Sequence, residues 1–167
     1  TSGPSVIAQS PTPASAGAHG VVTLHDFRAE LQTTAPIDLA ANAAIFQDAF
    51  RAVWTGAAEN DGFNRLTLSA GLPAREVTAL RAIAKYLRQA GIAFSQAYME
   101  EALARNADIA GKIAELFTHR FDPALDAEAR RHACETLTAR IDAALGDVSS
   151  LDEDRILRRF RNAVMSC

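Results

Sequence analysis

The stretch GFNRLTLSAGLPAREVTALRAIAKYLRQAG, residues 62–91, decides the fold. Pro73 and Glu76 mark a helix start. Proline suits the first turn, where its missing N–H costs nothing, and a carboxylate suits the positive end of the helix dipole. Val77, Leu80, Ile83, Ala84 and Leu87 then recur at three- and four-residue steps, the period of one helix face. Gly91 closes the helix. Arg81, Lys85 and Arg88 line the opposite side. These cations are either a solvated face pairing with nearby acids or a contact surface for another domain or subunit. Just upstream, Asp61-Gly62 interrupts the chain, and Phe63, Leu66 and Ser69-Ala70 make a short helix ended by Gly71. Arg65, beside Asn64, is placed to pair bidentately with an acid across this junction, as a lock or as part of a contact site.

The same period extends outward. Pro36 and Asp38 supply a helix start, and Leu39, Ala43, Phe46, Phe50, Val53 and Trp54 line one side of the helix that follows. Ser95 caps QAYMEEALARN, with Tyr98, Met99 and Leu103 directed inward. Asp108 starts a helix carrying Ile109, Ile113, Leu116 and Phe117, which Asp122-Pro123 breaks. Residues 126–145 carry Ala133, Leu137, Ile141 and Leu145, and Gly146 ends them. Ser150 or Ser149 caps a last helix with Leu151, Ile156, Leu157, Phe160 and Val164. The pattern predicts an all-α fold, an irregular bundle of about six or seven helices over residues 35–167.

The N-terminal part reads differently. Residues 1–19 are Ser, Pro, Ala and Gly with little to bury, and read as a disordered linker. Within residues 20–34, GVVTLHDF is dense in β-branched residues and predicts a short strand to about Phe27. A lone strand in a helical chain lacks a pairing partner, so the partner is expected in sequence outside this chain or in another copy of it.

Of 167 residues, 49% are apolar and 22% charged, the composition of one globular domain with a core. The net charge of -3 gives no general attraction to nucleic acid or anionic membrane, and no apolar run reaches the ~20 residues of a membrane span. The N-terminus lacks the basic-then-apolar layout of a signal peptide. Cys134 and Cys167 form no disulfide framework, which suits a reducing compartment such as the cytoplasm. No Gly-rich turn joins a strand to a helix, so neither a P-loop nor a dinucleotide cradle is expected. His19, His25, His119 and His132 show no metal-ligand spacing. His25 and Asp26 are adjacent on a strand and face opposite ways, so they are no catalytic dyad. Glu100-Glu101 and Asp152-Glu153-Asp154 compensate helix dipoles. No catalytic, cofactor-binding or metal-binding residue is expected here.

One resemblance joins these pieces. Gly-x-x-Glu-x-Asp-x-Phe-Asn-Arg-Leu from Gly56, then Leu80-Arg81-Ala82, Tyr86-Leu87-Arg88-Gln89, Phe94-Ser95-Gln96-Ala97-Tyr98 and Phe121-Asp122-Pro123 resemble the large bacterial NAD-specific glutamate dehydrogenases. VTLHDF and LDEDRILRRF, residues 151–160, are similar to the same family, and Ile83-Ala84 and Arg161 depart from its pattern. The resemblance implies a longer parent that oxidises L-glutamate with NAD to 2-oxoglutarate and ammonia. It implies ACT-like regulatory domains before this segment and a Rossmann-containing catalytic domain after it. The strand within residues 20–34 would end the ACT-like region, and residues 35–167 would be a non-catalytic connector. Its partners would be the regulatory and catalytic domains of the same polypeptide, in a homo-oligomer, with Arg65, Arg81, Lys85 and Arg88 as the interdomain contact. The competing class is a helical protein-interaction module unrelated to dehydrogenation, which an exposed apolar groove would favour.

Overall fold

A computed structural model describes residues 5–15, 17, 20–30 and 38–167. The chain forms two compact units, Thr1–Pro36 and Ile37–Cys167. The expected division at residues 34 and 35 lies outside the described residues.

The first unit is a β-hairpin. Strand β1 (Ser5–Ser15) pairs antiparallel with β2 (Val21–Glu30), in a register running from Ser15 opposite Val21 to Ser5 opposite Glu30. Gly17 and Gly20 have φ of 60° and 86°, and Gly20 N–H donates to the Gly17 carbonyl at 3.2 Å. Such φ values suit glycine, which has no Cβ to clash. Two expectations are corrected here. Residues 5–15 are a strand rather than a linker, and β2 has its partner within the chain. The composition of 5–15 argued against burial, but a ladder needs only backbone groups, and Gln9 to Ser15 remain almost wholly exposed. His25 accepts a hydrogen bond from Gln9 at 2.6 Å and stacks on Phe27, away from its neighbour Asp26.

The second unit is helical. In chain order it contains α1 (Leu39–Trp54), a 3-10 turn (Gly62–Arg65) running into α2 (Leu66–Ser69), α3 (Ala74–Gln89), α4 (Gln96–Arg105), α5 (Ala107–Arg120), α6 (Ala127–Leu145) and α7 (Leu151–Ser166). The fold is thus mainly all-α with a minor β element. Asp38 and Ser95 cap their helices as expected, accepting from Ala41 N–H at 3.0 Å and from Tyr98 N–H at 3.2 Å, and Asp126 caps α6 by accepting from Ala129 N–H at 2.8 Å. Helix α3 ends in a Schellman motif. Gly91, at φ 84°, donates to Arg88, and Ile92 donates to Leu87 at 3.0 Å while packing on the core.

Helix α5 lies centrally and packs against α2, α3, α4, α6 and α7. The stripes foreseen on α3 to α7 build the interior: Leu80, Met99, Leu103, Ile113, Leu116, Ile141, Ile156, Leu157 and Phe160 are fully buried. On α6 the buried residue of the first turns is Cys134, beside half-buried Ala133. Arg161 leaves α7 well buried, because its guanidinium reaches out to Asp142 on α6 at 2.9 Å. Helix α1 differs. Phe46, Phe50 and Trp54, expected to line a packed side, are exposed, and α1 meets α2 and α3 through half-buried Asn42, Ile45, Ala49, Ala52 and Val53.

Candidate interdomain surface

The cationic side of α3 divides into three different environments. Arg81 does not lie on the wet side; it is only 4% exposed. On a helix of 3.6 residues per turn it sits roughly a quarter-turn from the centre of the apolar stripe, at its border. Residues 59–64 fold over that border. The Arg81 guanidinium grips Asp61 with both ends of its fork, Nε to Oδ2 at 2.5 Å and Nη2 to Oδ1 at 2.9 Å. Nη2 also donates to Asn64 Oδ1 at 2.9 Å and to the Glu59 carbonyl at 3.4 Å. Asp61 in turn caps the 3-10 turn by accepting from Phe63 N–H at 3.1 Å, and Asn64 donates to the Glu59 carbonyl at 2.9 Å. Planar bidentate pairing suits arginine and is beyond lysine.

Lys85, one turn along, is half-exposed and ion-pairs with the Glu59 carboxylate. Glu59 therefore joins the two cations, through its carbonyl to Arg81 and its side chain to Lys85. An open cleft of about 340 Å³ lies over them, lined by Gly56, Ala58, Glu59, Thr78, Arg81 and Lys85. Arg88 belongs elsewhere. It is exposed and donates to Gln96 at 3.3 Å, and Gln96 donates to Glu100 at 2.9 Å, so it bridges α3 to α4. Arg65 lies half-buried at the end of the 3-10 turn. A bidentate lock at this junction is formed by Arg81 and Asp61.

A second polar node went unforeseen. Glu153, 8% exposed at the start of α7, accepts from Arg105 at 3.0 Å and Asn106 at 2.9 Å. It ties the α4–α5 junction to α7, a role beyond dipole compensation. The hydrogen bond and charge of Glu153, helped by Glu101, raise the Arg105 pKa above its ordinary value. A hydrogen bond from Asp154 does the same for Arg158. Nothing in the sequence signals a contact spanning 48 positions.

Among the described residues no group of three or more His, Cys, Asp and Glu side chains could hold a metal ion, and no helix is long and apolar enough to cross a membrane. Cys134 and Cys167 are free thiols, one buried and one exposed.

Comparison with known proteins gives these elements a context. Residues 58–123, from the loop before the Arg81 lock to the end of α5, match the family described as glutamate dehydrogenase, helical motif 3. Fold and match together define a helical motif of a glutamate dehydrogenase. The chain is 39% identical over 142 residues to the NAD-specific glutamate dehydrogenase of Halomonas elongata, and 41% over 143 residues to that of Pseudomonas aeruginosa. It is 36% identical over 150 residues to that of Mycobacterium tuberculosis. These alignments cover 84%, 84% and 87% of the chain. The chain belongs to the NAD-specific glutamate dehydrogenase family. It spans about 9% of the length of each of these relatives. No solved structure matches it.

Proposed function

We propose that this chain is a segment of a cytoplasmic NAD-specific glutamate dehydrogenase. The parent would convert L-glutamate and NAD to 2-oxoglutarate, ammonia and NADH. The segment would be a non-catalytic helical connector between its regulatory and catalytic regions. One observation carries the reading: the similarity runs along 84–87% of this chain yet occupies 9% of each relative. Two features of the fold support it. The described strands form an antiparallel hairpin rather than the parallel βαβ units of a Rossmann dinucleotide site, which supports a reading in which the parent's NAD site lies elsewhere in the polypeptide. The buried polar groups Arg81 and Glu153 engage neighbours that join helices, the arrangement of a stiff spacer.

Lys85 and Arg88 are the exposed part of the proposed interdomain contact, half-buried Arg65 is its third member, and buried Arg81 holds the loop that carries Lys85's partner Glu59. Replacing both Lys85 and Arg88 by Glu in the full-length dehydrogenase tests the role. Turnover or assembly falls at least several-fold if the contact exists; wild-type turnover with wild-type assembly rejects it. The 167-residue chain alone is expected to reduce no NAD with glutamate, followed by absorbance of NADH. The competing reading, a helical interaction module unrelated to dehydrogenation, draws on the exposed rings of α1.

A further inference from the structure

Phe46, Phe50 and Trp54 are 42%, 57% and 80% exposed. They stack on one another at centroid distances of 6.4 and 6.0 Å along α1. With Gln47 and Arg51 they line a shallow cleft of about 320 Å³. Rings at i, i+4 and i+8 form one ridge, the kind that fits a groove on another packed surface. We propose that this face packs against another part of the same dehydrogenase polypeptide, into an apolar groove with an acidic rim. The proposal rests on reading the chain as a segment of the dehydrogenase and names the face it docks by.

Area chooses the occupant. At about 150–250 Å² for each whole aromatic side chain, the exposed fractions leave roughly 350 Å² of ring surface. A specific complex between separate molecules buries about 800 Å² on each partner. A little over half of such an interface is apolar, about 450 Å² per partner, so the ridge alone falls short of what a dimer of two copies or an untethered foreign protein would bury. It suffices for a partner on the same chain, whose tether supplies a high effective concentration. Relatives of which this chain spans 9% have ample polypeptide to provide one. The acidic rim follows from Arg51, whose guanidinium is 76% exposed on the cleft wall and has only a loose 3.9 Å contact with Asp48.

Amide hydrogen exchange across α1, compared between the 167-residue chain and the full-length dehydrogenase, tests this. The expected result is exchange at least tenfold slower in the full-length protein. Phe50→Ser with Trp54→Ser should abolish that protection while α3 and α7 exchange as before. Both rings lie outside the core, so the variant should keep the chain's thermal midpoint; if it does not, Trp54→Ser alone takes its place. Equal exchange in the two proteins overturns the proposal. Protection in the 167-residue chain that grows with concentration, alongside a doubled mass in light scattering, assigns the face to a second copy and also overturns it. The readout is exchange rather than turnover, so it can fail while the Lys85 and Arg88 experiment succeeds, and the reverse.

Discussion

Arg81 has a charged head at the edge of an apolar stripe, and the direction of that head depends on what covers the edge. Here residues 59–64 cover it and supply Asp61, Asn64 and a carbonyl as acceptors. Removing one member of a buried ion pair leaves the other desolvated and unpaired, which typically costs 3–5 kcal/mol. Arg81→Met is accordingly expected to destabilise the chain by about 3 kcal/mol in urea denaturation. Arg81→Lys keeps the charge but loses the fork, and should cost about 1–2 kcal/mol. A loss below about 0.5 kcal/mol for Arg81→Met would mean that the pair holds nothing together. Periodicity placed Arg81 beside Lys85 and Arg88 because spacing reports angle around a helix axis. It is silent about a loop 20 positions upstream folding over that angle. Asp61 and Asn64 were visible as an interruption and a junction, but nothing local marks Arg81 as the group they hold.

Among the elements, α3 to α7 were legible to within a residue or two, although Asp108, expected to start α5, stands in a first turn that Asn106 precedes, and Leu151, placed on the α7 stripe, is exposed. Each carries its own stripe and its own start signal, and both are local properties of sequence. Contacts that join elements were not. Ser150 and Glu153 have the spacing of a capping box, in which the carboxylate would turn back to the cap residue's N–H. The structure sends it instead to Arg105 and Asn106. Glu153→Ala should therefore loosen three helices at once, costing about 2 kcal/mol, well above the tenths expected from dipole compensation alone. A double-mutant cycle with Asn106→Ala checks the mechanism. Coupling of at least 0.5 kcal/mol is expected, and strict additivity would return Glu153 to a purely local role. Raising the pH should leave this junction intact. A raised arginine pKa gives stability that is present below its ordinary value and lost only as pH climbs through the folded one, at extreme alkalinity.

At the scale of the whole helical unit, the distribution of rings separates structure from surface. Phe160 and Phe63 are fully buried, while the α1 rings lie outside the core. Pattern alone could not distinguish these groups, because a stripe of apolar residues states that a face wants covering and not what covers it. Strand β2 posed a related question, an edge wanting a partner, and there β1 supplied it, a segment whose composition argued for no structure at all, while Val21, Leu24 and Phe27 stay exposed. Stability measurements distinguish the two kinds of ring. Phe160→Ala opens a cavity in the core that cannot fully collapse, with an expected cost of about 3–5 kcal/mol. Trp54→Ala removes a larger side chain but creates no cavity, and should change stability by no more than about 0.5 kcal/mol. Urea unfolding of the 167-residue chain, followed by far-ultraviolet circular dichroism, measures both on one scale. Similar losses for the two variants would place Trp54 in the interior, and the aromatic face of α1 would then have nothing left to offer another surface.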